Sequence, residues 1–193
     1  MRKANNVKII LKITSIILVL LQLSCVQKKK RENIIVASAG KIESLDPAQA
    51  NTIRTLQILS AVGDTLYKTN NEGNLSPSLA KDLPKISKDG LFIDIPLKEN
   101  VSFHDGSSFN AKAMKFSLNR FMKIGTLNYL LNDKIEYIEV KDEFLLRIKL
   151  KKPSSSIKSL LTSINLTPVS PNSYSDYKDK FNNKNFIGTG PYL

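Results

Sequence analysis

The stretch KENVSFHDGSSFNA, residues 98–111, decides the fold more than any other part of the chain. Its Asp105-Gly106 pair is typical of a tight turn, because glycine adopts the positive φ that many such turns require. Asn110 is a favourable N-cap, so the stretch predicts a helix over residues 111–123. The apolar side of this helix would consist of Met114, Leu118, Phe121 and Met122.

Strand signals lie on both sides of this predicted turn and helix. After an Asp-Gly turn, apolar residues alternate over residues 91–97. Pro96 places that strand at a sheet edge, because proline cannot donate to a hydrogen-bond ladder. Downstream, residues 135–140 and 143–150 flank Lys141-Asp142 and predict a β-hairpin with its turn at those two residues.

The beginning of the body predicts a strand, a turn and a helix. The apolar run at residues 34–37 predicts a buried strand, and Leu45-Asp46-Pro47 predicts a turn, since proline moves the preceding residue out of helical space. A helix over residues 52–67 follows, with Asn51 as its N-cap. Its buried stripe would consist of Ile53, Leu56, Leu59, Val62 and Leu66.

Mixed strands and helices without regular strand-helix alternation predict an α+β fold class. A short helix near residues 156–162 and a short extended run over residues 166–169 complete the pattern. Hydrophobic residues make up 41% of the chain and charged residues 24%, which is typical of a globular protein and excludes wholesale disorder.

The N-terminus has the pattern of an export signal. Arg2, Lys3, Lys8 and Lys12 precede a short apolar run, and small residues lead to Cys25, so residues 1–24 read as a signal peptide. The apolar run is shorter than the roughly 20 residues that a membrane-spanning helix needs. The alternative is an uncleaved N-terminal anchor helix with an incidental cysteine.

The net charge of +12 does not indicate a nucleic-acid partner. Much of it belongs to the leader and to the run Lys28–Arg31, which lies in a solvated tether over residues 25–32. We find no aromatic stacking platform for nucleic acid. The tether has the charge to contact anionic headgroups instead.

Two motifs resemble the peptide/nickel-type solute-binding proteins, family 5, of ABC importers. The first is the quoted stretch, in which Phe103, His104, Asp105 and Gly106 stand where the family has phenylalanine, often histidine, and Asp-Gly. The second is Gly188, Thr189, Gly190, Pro191 and Tyr192, which matches the family's Gly-Thr-Gly-Pro-Tyr. Supporting pieces follow in order, namely Leu45-Asp46-Pro47, residues 75–80 and residues 150–153.

The resemblance implies the N-terminal part of a two-lobed, type II periplasmic-binding-protein-like fold. Residues 33–75 would start the main lobe, residues 76–185 would form a subdomain inserted in it, and residues 186–193 would return to it. The second lobe would be absent, so we expect the chain alone not to be competent for tight binding. The ending Leu-Ser-Cys resembles a lipoprotein box with lipidation at Cys25, although Gln22 replaces the usual leucine.

The implied function is capture of a solute, most commonly an oligopeptide, by lobe closure and its delivery to ABC permease subunits. The protein would be extracytoplasmic, held at the membrane by a lipid at Cys25, with no cofactor and no nucleic-acid partner. The loop Gly40-Lys41-Ile42 is the candidate lining of the ligand cleft, and an ordinary strand-end turn is the alternative. A nickel complex, haem or an oligosaccharide stays open as the ligand.

The same motifs allow other readings of the chemistry. His104 and Asp105 could form a metal site or an acid–base pair, but a single histidine and no metal-type spacing favour a structural turn. Gly188-Thr189-Gly190 lacks the Lys-Ser/Thr of a phosphate loop and reads as a turn. We therefore expect no catalytic residue and no metal, with two alternatives: a lipid-anchored receptor or adhesin uncoupled from transport, and a lipoprotein enzyme using His104 and Asp105.

Overall fold

The computed structural model describes residues 44–174 and 186–192, together with Ala39 and Ile42. Its α-helices are α1 (Ile53–Val62), α2 (Ala111–Ile124), α3 (Tyr129–Asn132) and α4 (Ile157–Leu160). Its strands are β1 (Tyr67–Thr69), β2 (Leu75–Pro77), β3 (Lys85–Ile86), β4 (Phe92–Pro96), β5 (Ile135–Asp142) and β6 (Leu145–Leu150). Short 3-10 helices span Pro47–Gln49 and Ile164–Leu166. The α+β class is confirmed.

An antiparallel four-stranded sheet in the order β3-β4-β6-β5 forms the centre of the structure, and β1 and β2 form a separate antiparallel pair. The predicted hairpin is confirmed as β5 and β6, but its turn lies at Glu143-Phe144 and not at Lys141-Asp142. The pairing continues to Asp142, which opposes Leu145 across an irregularity in the ladder. Strand pairing therefore extends two residues farther than the turn chemistry predicts.

The prediction that Pro96 marks an edge strand is wrong, because β4 lies between β3 and β6. Pro96 nevertheless occupies a position in β4 that suits a residue without an N–H. Leu97 donates its backbone N–H to Phe144 O at 2.8 Å on the β6 side, while Pro96 O accepts from Lys81 N at 2.8 Å on the other side. The missing N–H of Pro96 thus faces the side where β3 has already ended.

Helix α2 covers one face of the sheet, as its apolar side predicts. Asn110 caps it by accepting from Lys112 N and Ala113 N, both at 3.1 Å. Met114, Leu118 and Phe121 are buried, and Met122 is half-buried. With the inward side chains of the sheet they form the main core, whose sheet members are Ile93, Ile95, Ile135, Ile138, Leu146, Ile148 and Leu150.

Helix α1 is shorter than predicted. It begins after Thr52, whose side chain accepts from Thr55 N, so Thr52 and not Asn51 is the N-cap. Within the predicted stripe Leu59 is buried, but Ile53 is 78% exposed. Leu66 is buried beyond the end of the helix, because the chain leaves helical geometry at Gly63 and turns toward β1.

The region after the sheet is mostly irregular. The short helix near residues 156–162 is confirmed as α4, whereas the extended run predicted at residues 166–169 begins inside the 3-10 helix Ile164–Leu166 and forms no strand. A second, smaller core consists of Ala50, Leu59, Val169, Tyr174 and Phe186. The strand at residues 34–37 lies outside the described residues, and the division into lobe start, inserted subdomain and return stays a prediction.

Candidate functional site

His104 joins the two motifs that the sequence singles out. Its Nε2 lies 2.7 Å from Gly190 O, and its Nδ1 lies 3.4 Å from Gly188 N. One tautomer satisfies both contacts, with Nε2–H donating to the carbonyl and Nδ1 accepting from the amide. The backbone adds a third bond, from His104 N to Gly188 O at 2.9 Å. Residues separated by more than eighty positions therefore meet here. We call this meeting point, formed by His104 and Asp105 with residues 188–190, the corner.

Asp105 collects serine hydroxyls at the same corner. Gly106 has φ +80°, which confirms the predicted turn. The Asp105 carboxylate accepts from the backbone N–H of Ser107 at 3.0 Å and from its hydroxyl at 2.6 Å. It also accepts from the hydroxyls of Ser170 and of Ser173, the latter at 2.8 Å. The turn is thus tied to the segment that leads into the second core.

These contacts shift the acidity of Asp105. Burial alone would raise its pKa, but the hydrogen bonds from Ser107, Ser170 and Ser173 together outweigh burial and hold the pKa of Asp105 well below its ordinary value of 3.8. A carboxylate with a depressed pKa in the folded state stabilises the fold above the unfolded-state pKa. That contribution is lost as pH falls through the folded-state pKa.

Replacing Asp105 by asparagine is expected to destabilise the protein by about 1 kcal/mol at pH 7, after reduction for the carboxylate's solvent exposure. The deficit relative to the unmodified protein should narrow as pH falls below about 4, because protonation then removes the same advantage from Asp105. Urea unfolding of both proteins between pH 7 and pH 2 measures the gap. In a protein that carries both Ser170→Ala and Ser173→Ala, the stability difference caused by Asp105→Asn should also be smaller. A stability difference that does not change with pH would contradict the assignment of these hydrogen bonds to an ionised Asp105.

Replacing His104 by alanine is expected to lower the free energy of unfolding by about 2 kcal/mol, because two backbone groups lose their partner. Thermal or urea unfolding measures this loss. Ser108→Ala, an exposed change on the same stretch, is the control and should stay within about 0.5 kcal/mol. An unchanged stability for His104→Ala would show that the imidazole does not join the two motifs.

The corner does not have the arrangement of a catalytic triad. Both imidazole nitrogens of His104 contact the backbone of residues 188–190, so neither is presented to a serine. Asp105 accepts from serines directly and does not orient the imidazole. Among the residues that the structure describes, no three His, Cys, Asp or Glu side chains lie together as metal ligands would. The hydrogen bonds of the corner connect residues 104–107 with residues 170–173 and 188–190.

A buried ion pair that the sequence pattern does not predict links α2 to the turn at Asp46. Arg120 in α2 donates to both carboxylate oxygens of Asp46, at 2.7 and 2.6 Å. The side chains are only 2% and 0% exposed. Asp46 also accepts from Ala48 N at 3.0 Å and so caps the Pro47–Gln49 helix. The guanidinium lies 5.4 Å from the ring centroid of Tyr174, which links three distant segments.

The sequence predicts only one partner of this pair by its local structure. Leu45-Asp46-Pro47 predicts a turn with Asp46 outside helical space, and the extended backbone of Asp46 confirms it. Arg120 lies on a different side of α2 from Met114 and Leu118, three residues after the buried Ser117, so the apolar spacing does not predict its burial; a buried cation requires a partner. Nothing local identifies which carboxylate supplies it.

An open cavity of about 430 Å³ lies beside this region. Uncharged polar side chains dominate its lining, which consists of Ser44, Gln49, Ala50, Asn51, Thr55, Ile124 and Thr126. The loop after α2 closes against the Pro47–Gln49 helix here, since Thr126 N donates to Ala48 O at 3.0 Å. The cavity therefore offers hydroxyl and amide groups to a neutral polar ligand.

The predicted cleft loop lies next to this cavity in sequence, but its placement is only partly described. Ile42 is 42% exposed, two residues before the cavity-lining Ser44, while Gly40 and Lys41 lie outside the described residues. Cys25, the leader and the tether lie outside them as well. In the part of the chain with described coordinates, no helix is long and apolar enough to cross a membrane.

Comparison with known families and proteins gives consistent matches. The family model for bacterial extracellular solute-binding proteins, family 5 (middle part), matches residues 74–193. The glutathione-binding protein GsiB of Escherichia coli O6:K15:H31 (strain 536 / UPEC) is 30% identical over 163 residues. Its namesake from Pectobacterium atrosepticum is 31% identical over the same length. Each match covers 83% of this chain and 31% of the relative, so the chain spans about a third of these relatives' length.

Solved structures share the fold. OppA of Listeria monocytogenes, bound to peptide, superposes with a TM-score of 0.72 at 24% identity, over 80% of this chain and 34% of that one. NikZ of Campylobacter jejuni, in complex with Ni(L-His), superposes with a TM-score of 0.68 at 28% identity, over 79% and 30%. An ABC transporter substrate-binding protein of Sinorhizobium meliloti gives 0.66 at 30% identity, over 77% and 30%.

Proposed function

Since this chain belongs to the bacterial extracellular solute-binding proteins of family 5, which are binding proteins, we propose that it is the solute-binding part of an ABC importer, is not an enzyme, and takes peptides. Lobe closure would bury the peptide and present the loaded protein to a membrane permease. The protein would be exported and held at the membrane by a lipid on Cys25.

The observation that carries the peptide assignment is the neutral polar cavity beside the Pro47–Gln49 helix. Gln49, Asn51 and Thr126 offer amide and hydroxyl groups, and such groups pair with the N–H and C=O groups of a peptide backbone without selecting its side chains. The solved OppA neighbour binds a peptide, and the GsiB relatives are glutathione-binding proteins. A metal complex is less favoured, because the cavity lining supplies no imidazole or carboxylate.

The protein is first isolated from its own cells. Its intact mass is measured to establish whether a second lobe is present. Calorimetric titration with a tripeptide, with glutathione and with Ni(L-His) should give heat for the peptides alone. Asn51→Ala should weaken peptide binding by about tenfold, the effect of losing one polar contact. Asn71→Ala, on the exposed β1–β2 turn, is the matched control and should bind as before. Binding of Ni(L-His) alone, or of none of the three by a protein whose intact mass includes a second lobe, would overturn the peptide assignment.

Transport is tested separately from binding. Deletion of the gene should abolish uptake of a labelled peptide that the protein binds, because closure delivers the ligand to the permease. Peptide binding with unchanged uptake would favour the alternative of a lipid-anchored receptor or adhesin over an importer component. Palmitate labelling that is lost in Cys25→Ala would establish the anchor.

We propose further that the chain binds peptide tightly only together with a second lobe. It spans about 31% of its GsiB relatives, and a cavity open on one side buries too little of a ligand to hold it tightly. Titration of residues 26–193 should accordingly give no binding tighter than the millimolar range (about 1 mM). Micromolar or tighter binding by this segment would contradict the two-lobe requirement.

A further inference from the structure

The four-stranded sheet has one face packed on α2 and one face open to solvent. Ile93 and Ile148, which oppose each other, point into the core. Side chains alternate along a strand, so the neighbouring rows point outward. One outward row runs across three strands, from Lys85 through Asp94 to Arg147. The next runs from Phe92 through Lys149 to Tyr137.

Cations outnumber anions on this outward face. Asp94 is neutralised by a two-pronged ion pair with Arg147, at 2.6 and 2.7 Å, and Glu139 lies 3.6 Å from Lys141. Lys85 and Lys149 form no ion pair within 4 Å in the described part of the chain. The face therefore retains unneutralised positive charge.

One end of the face is more basic still. Leu150 N donates to Leu91 O at 2.8 Å, which places the end of β6 beside the turn before β4. Lys88, Lys151 and Lys152 are exposed in these adjoining segments, and Lys151 Nζ donates to Asn132 O at 2.8 Å. Asp89 is the acid in the same turn, with its carboxylate already bonded to Ser87 and Leu91 N. The hairpin turn at the opposite end of the sheet carries the acidic residues Asp142 and Glu143. Positive charge is therefore concentrated at the end that holds Lys88, Lys151 and Lys152.

Aromatic and apolar side chains accompany these cations. The ring of Phe92 lies under Lys149 Nζ, 4.1 Å from its centroid, and within 5.3 Å of the Arg147 guanidinium carbon. Tyr137 is 46% exposed and Ile86 is 42% exposed. Cations mixed with aromatic and aliphatic groups suit a lipid headgroup region, where the charge meets phosphate and the apolar parts meet the acyl boundary.

We propose that this basic face docks on anionic lipid headgroups. We define it by its cations Lys85, Lys88, Lys141, Arg147, Lys149, Lys151 and Lys152. The N-terminal sequence supports a lipid over a soluble polyanion: an apolar leader and the basic run Lys28–Arg31 precede the body. A chain held at a membrane keeps its basic face within reach of the surface, where short-range attraction acts. The inference is independent of which solute the protein carries.

The test uses the full chain reconstituted into vesicles of phosphatidylcholine alone or with about 30% phosphatidylglycerol, the anionic lipid that should attract the face. Limited acetylation read by mass spectrometry reports the reactivity of each lysine. In the anionic vesicles, lysines of the basic face should react at least about threefold more slowly than in neutral ones, and about 0.5 M salt should abolish the difference. Lys68, exposed on β1 outside the four-stranded sheet, and Lys123, exposed on α2 at the opposite face of that sheet, should react alike in both.

A charge-matched pair of variants separates the face from net charge. Changing Lys88, Lys151 and Lys152 to glutamine should remove the protection of Lys85 and Lys149, while changing Lys68 on β1 and Lys115 and Lys123 on α2 to glutamine should preserve it. Circular dichroism confirms that both variants fold. Equal loss in both variants, equal reactivity in both vesicle types, or protection by dissolved heparin to the same degree as by vesicles would each overturn the proposal.

Discussion

Asp46→Asn is expected to lower the free energy of unfolding by about 3–5 kcal/mol, the largest effect of any single polar substitution considered for this chain. The change keeps an oxygen that can cap the Pro47–Gln49 helix, so the cap is retained. It removes the charge that balances Arg120, whose side chain is 2% exposed. An unpaired guanidinium in that position loses its partner without regaining water. Urea unfolding at pH 7 measures the loss.

Two controls make this result specific. Glu99→Gln breaks the exposed pair with Lys81, which is 3.0 Å long, and should cost less than about 1 kcal/mol. The double variant Asp46→Leu with Arg120→Met removes both charges and should recover most of the stability, because no charge is left buried. A small effect of Asp46→Asn, or no recovery in the double variant, would show that the pair is not needed for stability.

Gly190→Ala is expected to cost about 3 kcal/mol, at the upper end of overpacking effects. A methyl group at this position would overlap the Val62 carbonyl and lie 2.8 Å from Gly63 N. Both obstacles are backbone, so no side-chain rotation relieves them. The Gly190 carbonyl must then move away from His104 Nε2, with which it forms a 2.7 Å hydrogen bond.

Urea unfolding measures the loss of stability. Gly73→Ala is the comparison variant, because it makes the same glycine-to-alanine change at a position without a steric clash. Gly73 has φ +82° and open space around it, so alanine there should cost only about 1 kcal/mol. Combining Gly190→Ala with His104→Ala should cost less than the sum of the two single changes, because both disrupt one contact. If the two stability losses were strictly additive, Gly190 and His104 would act independently. That result would contradict the contact between the two motifs through His104.

Local signals in the sequence predicted β4, β5 and β6 of the sheet and its covering helix α2, but not the short strand β3. Helix α2 is predicted by its N-cap Asn110 and by the apolar spacing of residues 114–121. The β5–β6 hairpin is predicted by the alternation of residues 135–150. In both cases the signal lies within a short stretch of sequence. Helix α1 was predicted too long, because Leu66 continues the helical spacing while Gly63 ends the helix and Leu66 is buried from irregular backbone. Apolar spacing alone cannot distinguish these cases.

The candidate site depends on contacts that no local pattern contains. Asp46 and Arg120 are 74 positions apart, and Asp105 meets Ser170 across 65. Asp, Arg and Ser are usually solvent-exposed, so their burial or pairing follows from the tertiary fold and not from their neighbours in sequence. The resemblance of the two motifs to a family indicated that they matter, and the structure gives the reason, which is that they contact each other through His104.

The distance along the chain between these contacts also sets an order of folding. A chain synthesised from its N-terminus can pair β5 with β6 and pack α2 on them early, because those partners are near in sequence. His104 must wait for residues 86 positions downstream before its ring has a partner, and closing so long a loop costs more entropy. The two neighbouring residues can therefore acquire their distant partners at different points of synthesis: Asp105 once Ser170 and Ser173 have been made, and His104 only once Gly190 has been made.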